Sequence, residues 1–140
     1  MGWAKARLEE IVSGQGPTPP IVEQLKLGLL DAWGEGWIEK TWRPDPALAT
    51  ADGSLFGGYI AALADQALAF AAMTVVPDDR TYRTTQLNVS YYRVGRDAPV
   101  FIRAEVIAHT RQLISVRARF IQAEDRLIAE ASAQQILLPA

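Results

Sequence analysis

Residues 53–76 read GSLFGGYIAALADQALAFAAMTVV, and the rest of the chain is arranged around this stretch. From Tyr59 to Val76 nearly every position is apolar or small, with Asp65, Gln66 and Thr74 as exceptions. Ala and Leu are strong helix formers, so the composition predicts a helix from Gly57 to about Met73. A helix that is apolar on every side is expected inside a fold. Gly57 and Gly58 allow another backbone or a ligand to come close. The free amides of the first turn, at the positive end of the helix dipole, suit a negative charge. Asp65 is the only carboxylate in this rod. A mid-helix Asp is paired, protonated, exposed or functional, because burying an unpaired charge is costly. The plainest alternative to a chemical role is a solvent-facing stripe or a bond to a strand hydroxyl, and Gln66 beside it is consistent with a polar edge.

The composition narrows the remaining possibilities. A chain of 140 residues has the size of one domain, able to bury about two-thirds of its unfolded surface. A hydrophobic share of 49% with 21% charged residues is that of a soluble globular protein. The net charge is −2 with no basic face, which argues against nucleic acid as a partner. The absence of cysteine excludes disulfides, thiol nucleophiles and thiolate metal sites, and His109 alone cannot build a histidine-rich metal site. No metal is expected. The opening MGWAKARLEEIV carries acidic residues where a signal peptide has its apolar core. Ala6 stands where a myristoylation signal needs Ser or Thr, so a cytoplasmic location is expected. Tyr59–Val76 is just long enough to span a bilayer, but Asp65 sits near its centre and amphipathic strands follow, which argues against a membrane.

Before the helix, Trp3–Val12 reads as a short amphipathic helix and Ile21–Lys26 as a second, opened by Pro19 and Pro20. Together they make residues 1–27 a helical extension that packs outside the domain or covers a pocket. Leu29–Pro44 reads as a β-hairpin turning at Gly34-Glu35-Gly36, and an irregular proline-bearing loop leads to Gly53. After Arg80 the apolar period becomes two. Four strands are expected over 84–92, 100–108, 113–121 and 127–137, joined by short turns into an antiparallel meander. One apolar helix and about six strands pack most simply as a sheet curled around the helix, an α+β fold.

This order resembles a hotdog-fold thioesterase, in the PaaI-like (phenylacetate-pathway-type) branch of acyl-CoA thioesterases. GSLFGGYIAALADQA is similar to that branch's G-x-x-His-Gly-Gly-x-x-x-x-Leu-x-Asp-x-Ala segment. RTTQLNVSYYR is similar to its Thr-x-x-(Leu/Met)-x-(Val/Ile)-x-(Tyr/Phe)-x-Arg strand, and the match runs from about Leu25 to the end. The resemblance implies hydrolysis of acyl-CoA thioesters to a free acid and coenzyme A, with no cofactor beyond the coenzyme A of the substrate. It places Asp65 as the carboxylate nucleophile or general base and Gly57 as the amide that polarises the thioester carbonyl. Thr84 takes the place of the strand hydroxyl that orients the carboxylate or the water. Phe56 stands where the family usually has His, beside Gly58, and is expected to border an apolar acyl pocket. Thr50 stands where the family often has the Asn that binds water or the thioester oxygen. Arg111, and more loosely Arg93 and Arg96, are implied for coenzyme A.

Gly57 and Asp65 are eight residues apart on one helix, about 12 Å along its axis. Both a base and an oxyanion donor must lie about 3 Å from the reacting atoms. One chain's pair therefore cannot serve one carbonyl, whereas two antiparallel chains can exchange helix N-termini. A C2 homodimer with shared sites is expected, and the resemblance implies the same, with dimers pairing further. The alternative is a hotdog that binds acyl-CoA without turning it over. A dehydratase ranks last, because the only histidine, His109, falls in a late turn.

Overall fold

The computed structural model describes residues 2–140. Helix α1 spans Trp3–Val12 and α2 Pro20–Gln24; strands β1 (Ala32–Gly34) and β2 (Trp37–Trp42) form the first hairpin. A 3-10 turn at Pro46–Leu48 precedes the central helix α3, Gly57–Met73. Strands β3 (Arg80–Tyr91), β4 (Val100–His109), β5 (Leu113–Gln122) and β6 (Arg126–Pro139) complete the chain. Helix α3 has the bounds its composition predicts. Its C-terminal end is fixed by Thr74, whose hydroxyl donates to Ala71 O (2.7 Å) and accepts the Gly36 N–H (2.9 Å). That second bond ties the β1–β2 turn to the helix.

All six strands lie in one antiparallel sheet ordered β1-β2-β4-β5-β6-β3. The sheet packs on α3 through Ile38, Ile102, Ala104, Val116, Ala118 and Phe120, all buried. From the helix, Ile60, Leu63, Ala64, Ala67, Leu68 and Ala71 meet them. The alanines at 129, 131 and 133 of β6 are buried as well, and small residues there let the sheet approach the helix. This is the hotdog arrangement of a curled sheet around one helix.

Two expectations are corrected. The last four strands do not form one meander: only β4, β5 and β6 do, while β3 pairs with β6 and becomes the sheet edge. Period-two patterning reports which face of a strand is apolar, not which strand lies beside it. Strand β3 also begins at Arg80, four residues before the alternation starts. Its ladder is interrupted between Thr84 and Gln86, and such a bulge switches the parity of side chains along a strand.

The N-terminal extension covers a pocket. Ala4, Leu8, Ile11 and Val22 are buried against the domain. Trp3 stacks on Tyr82 with ring centroids 6.4 Å apart, and its indole N–H donates to Arg80 O at 2.7 Å. No helix among the described residues is long and apolar enough to cross a membrane.

Candidate active site

On α3 the buried face leaves one stripe uncovered by the sheet. Gly58 and Asp65 are exposed there, and Ala61, Ala62 and Ala69 are half-covered. Among the described residues Asp65 makes no hydrogen bond or ion pair. Beside the stripe opens a cavity of about 710 Å³. Ala62, Asp65, Gln66, Ala69, Phe70 and Met73 line it from α3, and Tyr82, Arg83 and Thr84 from β3. Its remaining wall comes from α1, α2 and the segment that follows them. A largely apolar pocket with one unpartnered carboxylate is the form expected of a small-molecule site.

Thr84 reaches this cavity because of the bulge. Cross-strand partners share a face, and Leu87, Val89 and Tyr91 pair with Ala133, Ala131 and Ala129 on the helix side of the sheet. Strict alternation would send Thr84 to the opposite face with Gln86. The extra residue, Thr85, returns it to the inner face opposite Gln135. There its hydroxyl donates to Gln135 Oε1 at 2.7 Å, and Gln135 is fully buried. Asp65 and Thr84 thus stand on two walls of one cavity.

Tyr82 belongs to the same wall. Burial pushes its hydroxyl up to about 12, and the nearby Asp65 carboxylate raises it further while Arg83 opposes. It therefore stays protonated across the pH range in which a protein works. Next to Asp65, Gln66 is held from both ends of its amide. Oε1 accepts from Lys40 Nζ (2.6 Å), and Nε2 donates to Gly28 O (2.7 Å). Lys40, only 3% exposed, also donates to Leu27 O at 2.7 Å. Its burial lowers its pKa from the ordinary 10.5 to about 8, against the pull of Asp31. This clamp fixes the chain after α2 to the helix that carries Asp65.

The other residues expected in the site lie elsewhere on the chain. The Gly57 and Gly58 amides have no acceptor among the described residues, and neither glycine lines the cavity. Tyr91 lies over Gly57, so that a Cβ there would meet its ring at 3.4 Å, and the Tyr91 hydroxyl donates to Gly57 O. A Cβ on Gly58 would come within 2.7 Å of the Phe56 ring. Phe56 itself is 59% exposed and does not border the cavity. Thr50 is occupied in its own loop, bonded to Asp52 and to the Ser54 hydroxyl (2.7 Å). Hydroxyls of Ser54 and Thr50 hold the Asp52 carboxyl down to about 2. Arg93 donates to Leu127 O at 2.8 Å, and the Arg96 amide to Gln122 Oε1 at 3.0 Å. Arg111 is exposed in the β4–β5 turn. Arg96 precedes β4 and Arg111 follows it, so the length of that strand, about 30 Å, separates them within one chain. No group of three His, Asp or Glu side chains able to hold a metal occurs among the described residues.

A sheet curled on a central helix, with a lone helical carboxylate facing an apolar cavity, defines a hotdog-type protein with an enzyme-like pocket. The sequence model of the Thioesterase superfamily matches residues 52–129, and the chain belongs to that superfamily. Its general activity is therefore thioester hydrolysis. Comparison with curated proteins finds none that matches. Among solved structures, a phenylacetic acid degradation-related protein of Ralstonia eutropha JMP134 superposes with a TM-score of 0.81 at 23% identity, over 91% of this chain and 97% of the other. A thioesterase family protein of Silicibacter pomeroyi gives a TM-score of 0.80 at 23% identity, covering 94% of this chain and 98% of the other. A thioesterase of Haemophilus influenzae gives 0.78 at 23% identity, covering 94% and 88%. At these identities the likeness is one of fold.

Proposed function

We propose that the protein hydrolyses acyl-CoA thioesters in sites shared between two copies of the chain. The observation that carries this reading is the unpartnered Asp65 carboxylate facing Thr84 across an apolar cavity, in a member of a thioester-hydrolysing superfamily. Asp65 acts at the thioester carbonyl as nucleophile or as the base that takes a proton from water. Thr84, its hydrogen directed to Gln135, offers its oxygen lone pairs to hold that water. The carbonyl oxygen becomes an oxyanion and needs a donor. The C–S bond then breaks, and coenzyme A leaves as a thiolate, a good enough leaving group to need no strong acid; on the nucleophile route water then cleaves the acyl–Asp65 anhydride, releasing the acid and restoring the carboxylate.

Within one chain the free Gly57 amide is about 12 Å along the helix from Asp65, so the donor is assigned to the other copy. The surface beside Asp65 suits that arrangement. Strand β3 is an open edge pairing only with β6, and an open edge is a template for another strand. Gly58 and Ala61 of α3 are small and lie outside the cavity lining, so a second helix can approach closely there. Phe56, Tyr91, Tyr92 and Val94 are each at least half exposed around the helix N-terminus, apolar area that a partner would cover.

The test is thiol release from a panel of acyl-CoAs by wild type and Asp65→Asn. The protein has no cysteine, so a thiol-reactive dye reports only the coenzyme. Selective release that the substitution abolishes is expected. Turnover within about tenfold of wild type, some 1.4 kcal/mol of barrier, would remove Asp65 from the chemistry.

A further inference from the structure

Resting on the thioesterase reading, we propose that the acyl group is an apolar chain of about octanoyl length, lodged along α3 beneath the N-terminal helices, whose apolar wall favours that length. The cavity runs along one helix face. Ala62, Asp65, Ala69 and Met73 recur down it at helical spacing, and Asp65 to Met73 is eight residues, about 12 Å. A thioester carbonyl held at Asp65 therefore has about two helical turns of pocket beyond it, closed by the buried Met73. Acetyl or butyryl would leave most of that length empty.

The facing wall is built by Ile11, Ile21, Val22 and Leu25 of the N-terminal segment. This segment lies outside the 52–129 region matched to the superfamily, so the outer wall of the pocket comes from residues outside the matched core. The wall is fastened rather than loosely laid on. Trp3 is bonded to Arg80 O, and Lys40 grips Leu27 O at the other end.

Much of the polar lining is already engaged within the protein. The Arg7 guanidinium already donates to Pro17 O (2.8 Å) and pairs with Glu10 (3.3 Å). Both ends of the Gln66 amide are occupied, and the Thr84 hydroxyl is given to Gln135. The lining therefore gains affinity chiefly through apolar contact, each methylene buried there being worth about fourfold.

The test compares kcat/KM for acetyl-, butyryl- and octanoyl-CoA. Wild type is expected to favour octanoyl over butyryl at least tenfold. Ala69→Leu fills the channel one turn beyond Asp65, and Ile21→Asp puts a charge on the outer wall at a position 58% exposed, where folding tolerates it. Each is expected to lower the octanoyl-to-butyryl ratio at least fivefold. A wild type that prefers butyryl, or that turns over butyryl and octanoyl equally, overturns the proposal. A ratio moved by Ala69→Leu but not by Ile21→Asp overturns the role of the N-terminal helices. Calorimetry with non-hydrolysable octyl-CoA and butyl-CoA thioethers separates this proposal from the hydrolysis reading. If no thioester is turned over yet octyl-CoA binds at least tenfold tighter, hydrolysis falls and the pocket assignment stands; equal binding of the two overturns the pocket.

Discussion

Replacing Lys40 by methionine isolates the one buried charge that braces the site. The side chain keeps an unbranched apolar stem, one atom shorter, but loses the ammonium that donates to Leu27 O and Gln66 Oε1. In the fold burial lowers the Lys40 pKa to about 8, while the unfolded chain has the ordinary 10.5. Between those values the unfolded state binds the proton more strongly, so the stability contributed by this group rises with pH. The drop corresponds to about 3 kcal/mol at full effect. Below pH 8 both states are protonated and the folded state carries the whole desolvation cost; by about pH 10.5 that cost is largely relieved. Urea unfolding at fixed protein concentration, at pH 7.5, 8.5, 9.5 and 10.5, gives the stability difference between wild type and Lys40→Met. Subtraction cancels the tyrosines and other groups common to both proteins. Wild type is expected to gain about 2–3 kcal/mol relative to the variant across that range, most steeply around pH 8–10. A difference flat within about 0.5 kcal/mol, which is the error of such extrapolations, would refute the reasoning. It would mean that Lys40 keeps its water and that the clamp on Gln66 is not a buried one.

Gly57→Pro removes the proposed oxyanion donor with little cost to the helix, since proline is tolerated at the first helical position and Phe56 already has the extended backbone that precedes a proline (φ −67°, ψ 128°). Steady-state kinetics should show kcat down about a hundred- to thousandfold with an unchanged circular dichroism spectrum; a fall of less than about threefold in kcat would clear this amide of the role. Thr84→Ala is expected to lose less activity than Asp65→Asn, and an equal loss in the same assay would reverse the roles assigned to them. Phe120→Ala, at a fully buried core position, should cost about 3–5 kcal/mol in urea unfolding, and a loss under 1 kcal/mol would contradict the packing of sheet on helix.

Much of this was legible in the sequence, for local reasons. Helix α3 announces itself through a run rich in Ala and Leu between a glycine pair and Pro77, and strands β4 to β6 through a period-two pattern. Asp65 stands out because nothing else in the rod is charged. The place of β3 at the sheet edge was not legible, since it depends on a pairing with β6 that sets Thr84 opposite Gln135, fifty-one residues away. The Thr85 bulge hides the parity that turns Thr84 inward, so only the family resemblance pointed to that residue. Tyr82 and Arg83 were missed, and the choice between an outer position and a pocket cover for the N-terminal helices stayed open, because their packing partner at residues 80–84 is remote in sequence. Lys40 did leave a signal. It alternates with Ile38 and Trp42 on the apolar face of β2, and a lysine there must find acceptors or give up its charge.

The shared site is tested most directly by mixed dimers. Asp65→Asn and Gly57→Pro chains are each inactive alone, but a dimer containing one of each has one intact site, with Asp65 from the second and the Gly57 amide from the first. After unfolding and refolding an equimolar mixture, half of the dimers are mixed on random pairing, and about a quarter of wild-type thiol release should return. No activity above that of the separate variants, with mixed dimers present, would contradict a site built across two copies of the chain.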